Sequence, residues 1–439
     1  MKQQTALDIL KMGHNVFLTG PAGSGKTYLL NQYIQYLKSK DIGVAITAST
    51  GIAATHINGQ TIHSWSGMGI KDVFTEKDFS KLMKNSRYKK RYNKTSVLII
   101  DEVSMLHAYQ LDIIDSIAKR FKEPFWPFGG LQVILCGDFF QLPPVARGGQ
   151  VAKFVTESHS WDEMNPQICY LEEQHRQEDK KITKVLNAIR HQAVDYEIMS
   201  DVLSRENKPI KNSVKPAKLF SHNADVDAIN NFELQKIKEK PFAYNMCFNG
   251  IEPLIKTLKQ WCLVPERLVL KKEAMVMFVK NNFDKGYVNG TLGKIIGFDE
   301  DKLPIVQTFK GKKIVAHPES WSLKEDELEL ASITQIPLRL AWAITVHKSQ
   351  GMTLDAIEVD LSKSFEYGMG YVALSRARSL DSIRLLGIND VALEVNPKVC
   401  KLDKELANIS EKNNLEMTGM SWARKKKKQK KFAKKVCRK

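Results

Sequence analysis

Gly20-Pro21-Ala22-Gly23-Ser24-Gly25-Lys26-Thr27 stands between an apolar run, Val16-Phe17-Leu18, and a helical pattern carried by Leu29, Leu30, Tyr33, Ile34 and Leu37. Strand, glycine-rich turn and helix in that order are the setting of a phosphate-binding loop. Gly20, Gly23 and Gly25 lack a Cβ, so the chain can wrap a phosphate and aim its N–H groups inward, at the positive end of the following helix. In that geometry Lys26 reaches the β- and γ-phosphates and Thr27 holds Mg²⁺. Further apolar segments alternate with helical patterns, as in Val44-Ala45-Ile46-Thr47 before Gly51-Ile52-Ala53-Ala54. The expected class is therefore α/β, with parallel sheets flanked by helices.

A phosphate-binding loop needs water-activating chemistry nearby. Val97, Leu98, Ile99 and Ile100 form a second apolar run, suited to a buried parallel strand, and Asp101-Glu102 follow at its carboxyl end, where α/β sheets place ligands. Asp101 suits Mg²⁺ and Glu102 suits the general base for water. A third run, Leu131 to Leu135, ends in Cys136-Gly137-Asp138-Phe139-Phe140-Gln141-Leu142-Pro143-Pro144, which puts Gln141 where a γ-phosphate sensor belongs.

At 439 residues the chain has room for two to four domains, and 43% of it is hydrophobic. No apolar run approaches the roughly 20 residues of a membrane span, and the opening Met1-Lys2-Gln3-Gln4 lacks a signal-peptide core, so the expected location is cytoplasmic. Cysteines at 136, 169, 247, 262, 400 and 437 show no C-x-x-C pairing, which argues against zinc and for reduced, structural thiols. The formal charge is +17, and the stretch from Arg424 to Lys439 holds eleven basic residues and no acidic one. The body is thus only mildly basic, and a run of that composition is expected to be disordered, as a solubilising tail or as a nucleic-acid contact.

Two arginines stand where a second nucleotide-binding wall needs them, Arg176 in Leu171-Glu-Glu-Gln-His-Arg-Gln and Arg376 in Tyr371-Val-Ala-Leu-Ser-Arg-Ala-Arg. An arginine reaching across a domain gap stabilises charge on the transferring phosphoryl group. Between them, Leu340-Ala-Trp-Ala-Ile-Thr-Val-His-Lys-Ser-Gln-Gly-Met-Thr ends an apolar stretch in small polar residues.

With these stretches in order, the chain resembles the superfamily-one DNA helicases, and within them the petite-integration-frequency (PIF-type) family, of the RecD-like 1B branch. The stretches that carry the resemblance are the loop at 20–27, Thr50-Gly-Ile-Ala-Ala, Thr61-Ile-His-Ser, Asp101-Glu-Val-Ser-Met-Leu, Gly137-Asp-Phe-Phe-Gln-Leu-Pro-Pro, Arg176-Gln, Thr345-Val-His-Lys-Ser-Gln-Gly and Tyr371-Val-Ala-Leu-Ser-Arg. The segment 105–132, with Leu111-Asp-Ile-Ile-Asp and Pro127-Phe-Gly-Gly, is similar to that family's own signature and argues against another RecD-like or phage helicase. His175 before Arg176 is a small departure from the pattern.

The resemblance implies two tandem RecA-like domains of phosphate-loop type, 1–175 and 176–400, with a C-terminal segment 401–439 that includes the basic tail 424–439. It also implies a small wedge insertion near 64–93 and a small inserted β-barrel near 268–331. ATP and Mg²⁺ are the implied cofactors. The implied nucleotide set is Gly20 to Tyr28 with Gly351 and with Gln3 as the adenine-reading glutamine, Gln4 being the alternative; Thr27 and Asp101 hold the metal; Lys26, Asp101, Glu102, Gln141, Arg176 and Arg376 carry the chemistry. Implied DNA contacts are Thr50, Thr61, His63, Asn223, Asn289, Thr345, His347 and Lys348. Hydroxyls and amides of this kind read phosphate without reading sequence. Phe139, Pro143 and Pro144 offer a stacking or wedging surface, with core packing as the alternative for Phe139 and Phe140. Lys89, Lys90, Arg91 and Lys94 of the wedge are either duplex contacts or a solvated charged face. Asn289-Gly290-Thr291 is also a turn signal within the barrel. The function implied is an ATP-dependent 5′-to-3′ DNA helicase acting as a monomer on single-stranded and forked DNA, with G-quadruplex DNA and RNA–DNA hybrids as further candidate substrates. A nucleic-acid-stimulated ATPase that translocates or senses DNA without separating strands is the alternative.

Overall fold

The structure is a computed structural model that describes residues 1–437 except 70, 72, 145–151, 174–178, 211–215, 222, 263, 281, 283, 288, 310, 326, 327 and 353. It divides into two compact units, Met1–Gln177 with Arg190–Gln192 and Val395–Lys439, and Glu178–Ile189 with Ala193–Glu394.

The first unit is built on six strands in the order Gln60–Thr61, Val44–Ala48, Val97–Asp101, Gln132–Cys136, Val16–Thr19, Gln167–Tyr170. Every pairing is parallel, with Ile99 opposite Ile46 and Ile134, and Val16 opposite Ile134 and Gln167. Val16–Thr19, Val97–Asp101 and Gln132–Cys136 are buried along their whole length, which is why the sequence there reads as continuous apolar runs rather than as alternation. Their carboxyl ends open at one edge of the sheet, the ligand edge of such folds.

Helix Gln3–Lys11 buries Ala6, Leu7, Ile9 and Leu10 in a core shared with Leu29, Leu30, Tyr33 and Ile34 of the helix after the phosphate loop. Met417 and Met420 join the same core from the C-terminal end of the chain. The basic run differs from expectation. Trp422–Val436 is a helix, capped at its start by Ser421 Oγ accepting from Arg424 N–H, and Phe432, Ala433 and Val436 pack on the first unit's core. Anchoring positions at helical spacing outweigh a composition that by itself favours disorder, and residues 395–439 are part of the first unit.

The described helices of the segment 64–93 are the end of Ile62–Ser66, then Glu76–Met83 and Ser86–Lys94. Tyr92 is fully buried between Trp65 and Phe121, with ring centroids 4.7 Å from each. Arg91 donates to the carbonyls of Ser64 and Trp65, at 3.1 and 2.7 Å, while Lys89, Lys90 and Lys94 are exposed.

The second unit has a four-stranded parallel sheet, ordered Ala343–Thr345, Ala217–Phe220, Ile357–Leu361, Ile383–Ile388. Its antiparallel part is a five-stranded sheet ordered Lys313–Val315, Pro304–Thr308, Leu292–Phe298, Met275–Phe278, Leu338–Leu340, together with the three-stranded set Glu319–Glu325, Leu328–Gln335, Cys247–Gly250 and the pair Arg267–Leu270 and Phe242–Asn245. The strand-rich insert thus extends beyond 268–331 on both sides. Among the described residues no helix is long and apolar enough to cross a membrane, and none of the six cysteines forms a disulfide.

Candidate nucleotide and nucleic-acid site

Strand Val16–Thr19 runs into the phosphate loop, and helix Lys26–Ser39 begins at its end. Gly20, Gly23 and Gly25 have φ of 140°, 88° and 84°, conformations that L side chains rarely adopt. At Gly20 a Cβ would stand 2.4 Å from the Leu171 carbonyl oxygen and 3.0 Å from Ser24 Oγ, so the residue is fixed by space as well as by φ. Lys26 Nζ donates to the carbonyls of Gly20 and Pro21, at 2.7 and 3.0 Å, folding over its own loop. Ser24 Oγ is buried with no hydrogen-bond partner among the described residues, while Ala22 is buried, and Thr27 and Tyr28 are exposed at the start of the helix. Gln3 Nε2 donates to the Ser24 carbonyl at 3.3 Å, which sets the adenine-reading candidate directly on the loop.

Asp101 closes strand Val97–Asp101 as a buried carboxyl that accepts from Glu102 N–H at 2.9 Å and from the Cys136 thiol. Burial pushes its pKa above the usual carboxylate range, against the pull of those bonds and of the Lys26 charge. Glu102 adopts φ 52° and ψ 45°, the left-handed region, with its carbonyl held by Ser49 Oγ–H at 2.6 Å. A non-glycine residue held there costs about 1–3 kcal/mol, and such residues cluster at functional sites.

The third strand end carries a buried ion pair that the sequence reading missed. Arg190 donates from Nη1 to Asp138 Oδ1 at 2.8 Å and from Nη2 to the Tyr170 hydroxyl at 2.8 Å and Asp403 Oδ1 at 3.1 Å. The Arg190 and Asp138 side chains are 2% and 1% exposed, and the guanidinium lies 4.1 Å over the Phe140 ring. Asp138 in turn accepts from Phe140 N–H through Oδ1 and from Gln141 N–H through its carbonyl, so the pair fixes the turn that presents Gln141. Gln141 Oε1 is buried without a hydrogen-bond partner among the described residues. Phe139 departs from expectation. Its ring packs 5.2 Å from Phe17 and 5.3 Å from Phe154 and is buried, so the core alternative holds and no face is left for a base; Phe140 is buried as well. Pro143 is half-buried and Pro144 buried.

Among the nucleic-acid candidates of this unit, Thr50 and Thr61 each cap a helical turn, their hydroxyl oxygens accepting from Ala53 N–H at 3.2 Å and Ser64 N–H at 3.3 Å. His63 follows on the second of these helices, half-buried. Arg176 and the side chain of Asn223 lie outside the described residues.

In the second unit, Thr345 ends strand Ala343–Thr345 and its hydroxyl accepts from Lys348 N–H at 3.3 Å. Burial holds His347 and Lys348 below their ordinary pKa values, with the Arg339 charge adding to the effect on Lys348. Gln350 Nε2 is buried with no hydrogen-bond partner among the described residues, and Gly351 has φ 74°. Asn289 is buried, and the turn it begins lies against this motif: a Cβ at Gly290, φ 91°, would stand 3.2 Å from Met352 Cγ. Arg376 does not project. It is 1% exposed, and its donors reach Val372 O at 2.9 Å, Ser375 Oγ at 2.8 Å, Met352 O at 3.3 Å and Ser349 O at 3.4 Å. The guanidinium fork ties helix Met369–Leu374 to the 345–352 motif, which corrects the expectation of a free arginine finger in this structure.

A model of the PIF1-like helicase family matches residues 2–195, and one of the DNA helicase Pif1 2B domain matches residues 253–298. The chain is 44% identical to the ATP-dependent DNA helicase Pif1 of Psychrobacter sp., over 93% of this chain and 71% of that one. The crystal structure of Pif1 helicase from Candida albicans superposes with a TM-score of 0.79 at 37% identity, covering 92% of this chain and 98% of that one. Pif1 helicase from Bacteroides in complex with ADP-AlF3 and single-stranded DNA gives 0.66 at 31% identity, covering 94% and 97%. Matches of this length, on a chain whose parallel sheets present these motifs, decide the family: the chain belongs to the PIF1-like helicases and is an ATP-dependent DNA helicase of two RecA-like domains.

Proposed function

We propose that this helicase moves 5′ to 3′ along one strand of single-stranded or forked DNA and unwinds the duplex ahead, working as a monomer in the cytoplasm. The observation that carries the site assignment is the pair of buried, partnerless polar atoms among the described residues, Ser24 Oγ and Gln141 Oε1, on the turns that follow the neighbouring strands Val16–Thr19 and Gln132–Cys136. Buried polar groups are seldom left unmade: a nucleotide phosphate beside this loop would accept from the Ser24 hydroxyl, and the attacking water beside that phosphate would donate to Gln141 Oε1. The order of the motifs, which resembles that of the 5′-to-3′ branch, supports the direction.

Bound ATP supplies the phosphoanhydride bond whose hydrolysis drives the cycle. For it, Gly20 to Thr27 form the cradle, with Tyr28 and Gly351 in the nucleotide set, and Gln3 selects adenine from its place on the Ser24 carbonyl. Lys26 exchanges the Gly20 and Pro21 carbonyls for phosphate oxygens. Thr27 and Asp101 would hold Mg²⁺, whose charge would favour the ionised form of a carboxyl whose pKa burial raises. Glu102 takes the proton of the attacking water, Gln141 senses the phosphate, and Arg176 stabilises charge on the transferring phosphoryl group, while Arg376 acts by holding the 345–352 motif in place. Thr50, Thr61, His63, Asn223, Asn289, Thr345, His347 and Lys348 grip the strand, and grip that differs between nucleotide states becomes a step.

The test is unwinding of two duplexes, one with a 5′ single-stranded tail and one with a 3′ tail, in ATP and Mg²⁺. Only the first is expected to open. Opening of the 3′-tailed duplex alone overturns the direction, and ATP turnover with neither opened assigns a translocase or sensor. A G-quadruplex or an RNA–DNA hybrid in place of the duplex reads those substrates in the same assay.

A further inference from the structure

Helix Trp422–Val436 packs one face and leaves the other bare. Gln429 is buried and donates from Nε2 to Asp8 Oδ1 at 3.1 Å, and Phe432, Ala433 and Val436 follow it on the packed side. The spacing i, i+3, i+4, i+7 turns Arg424, Lys427, Lys430, Lys431, Lys434 and Lys435 to the opposite side, where all six are exposed. The helix contains no acidic residue, and among the described residues no carboxylate lies within 4.0 Å of any of the six. Two other lysines of the helix act on the unit: after burial, which is the larger cause, Lys428 helps hold His14 below its ordinary pKa, and Lys426 opposes Asp8 in lowering that of Lys11. At the start of the row Trp422 is 74% exposed, with Lys426 Nζ 5.9 Å over its ring. Fifteen residues of helix span about 22 Å at 1.5 Å per residue, long enough to follow several phosphates. An ordered row of unpaired cations beginning at a bare indole has the make-up of a surface that tracks a phosphate backbone and stacks a base.

We propose that this face is an accessory phosphodiester-binding site on the first unit, distinct from the motif residues, that raises affinity for nucleic acid without taking part in hydrolysis. It rests on the helicase reading and deepens it. Backbone phosphates are common to single strands and duplexes, and the experiment separates the two.

In the full chain, K427Q/K430Q/K431Q/K434Q keeps every packed residue of the helix. Binding of the variant and wild type to a single-stranded oligonucleotide and to a blunt duplex is followed by anisotropy over a range of salt. The logarithmic slope is expected to fall by about 0.7 for each phosphate of the single strand that is no longer neutralised, or about 0.9 on duplex. The melting temperature and ATP turnover at saturating DNA are expected to stay at wild-type values. A drop confined to one ligand identifies it as the occupant, and Trp422→Ala is expected to weaken single-strand binding alone. Unchanged slopes on both ligands, with wild-type binding intact, overturn the proposal; so does a variant that loses binding to polyglutamate while keeping its DNA slopes, which gives the face to an acidic protein. Wild-type protein that neither binds nor unwinds DNA defeats the helicase reading instead.

Discussion

Lys26, with its Nζ 2.7 Å from the Gly20 carbonyl, is held by hydrogen bonds that a phosphate must replace. Lys26→Ala is expected to abolish DNA-stimulated phosphate release while single-strand binding, read by anisotropy, is kept. Arg376 calls for a different readout, because its fork is buried among carbonyls of its own unit. Both Arg376→Ala and Arg376→Lys are expected to lower the melting temperature as well as the turnover, since an ammonium cannot span the same oxygens; low turnover at an unchanged melting temperature would restore the free finger. Arg190→Ala leaves the buried Asp138 and the half-buried Asp403 without their countercharge, a change that typically costs about 3–5 kcal/mol, to be measured by urea unfolding. The residues of the phosphate loop and of the Asp101-Glu102 strand end were legible in the sequence because their chemistry is local: glycines, lysine and carboxylates act within a few positions of one strand. Arg190 was not, since Asp138 is 52 positions away and Asp403 is 213, and nothing in a single chain of letters pairs them. The Phe139 ring and the Arg376 fork were misjudged for another reason: a residue type states what a side chain can do, while the packing around it decides which way it points.

Elements repeat that contrast. The central strands of the first unit's parallel sheet were readable as short apolar runs, because burial on two faces removes polar residues from the sequence, whereas Ala217–Phe220 and Ile357–Leu361 of the second carry Lys218, Glu358 and Asp360 and were not read. Antiparallel strands such as Phe242–Asn245 and Cys247–Gly250 alternate or stay exposed, so the outer limits of the inserted sheets were not readable. Helix Trp422–Val436 was hidden by its lysines, its anchors being too sparse to outweigh them in a composition. Its seat is narrow. Gly13, φ 84°, would place a Cβ 2.1 Å from Phe432 Cδ2, in the space the ring occupies. Gly13→Ala is expected to destabilise the first unit by roughly 1–3 kcal/mol, combining overpacking with backbone strain. In combination with Phe432→Ala the loss should be less than additive, because the clash has then been removed; a fully additive cycle in thermal melts would mean that the helix does not sit on Gly13.

Taken whole, the first unit is closed by residues from both ends of the sequence. Ser410 Oγ accepts from Tyr170 N–H at 2.9 Å, Asn413 donates to the Ile168 carbonyl at 3.1 Å, and Met417 and Met420 lie in the core around helix Gln3–Lys11. A chain ending at 394 is expected to lose cooperative unfolding of the first unit and ATP binding with it, while limited proteolysis leaves 193–394 as the protected fragment; retained ATP affinity in that chain would show the last helices to be dispensable. The ribosome makes residues 395–439 only after the whole of the second unit. At about 5–20 residues per second, the roughly 200 residues between take on the order of ten to forty seconds. Throughout that interval the phosphate loop exists, but the helix that carries Gln3 lacks the cover of Met417, Met420 and Phe432. On that expectation a nascent chain binds and hydrolyses ATP only once its second unit has been made, and a message that stalls partway yields an inert product rather than an unregulated ATPase.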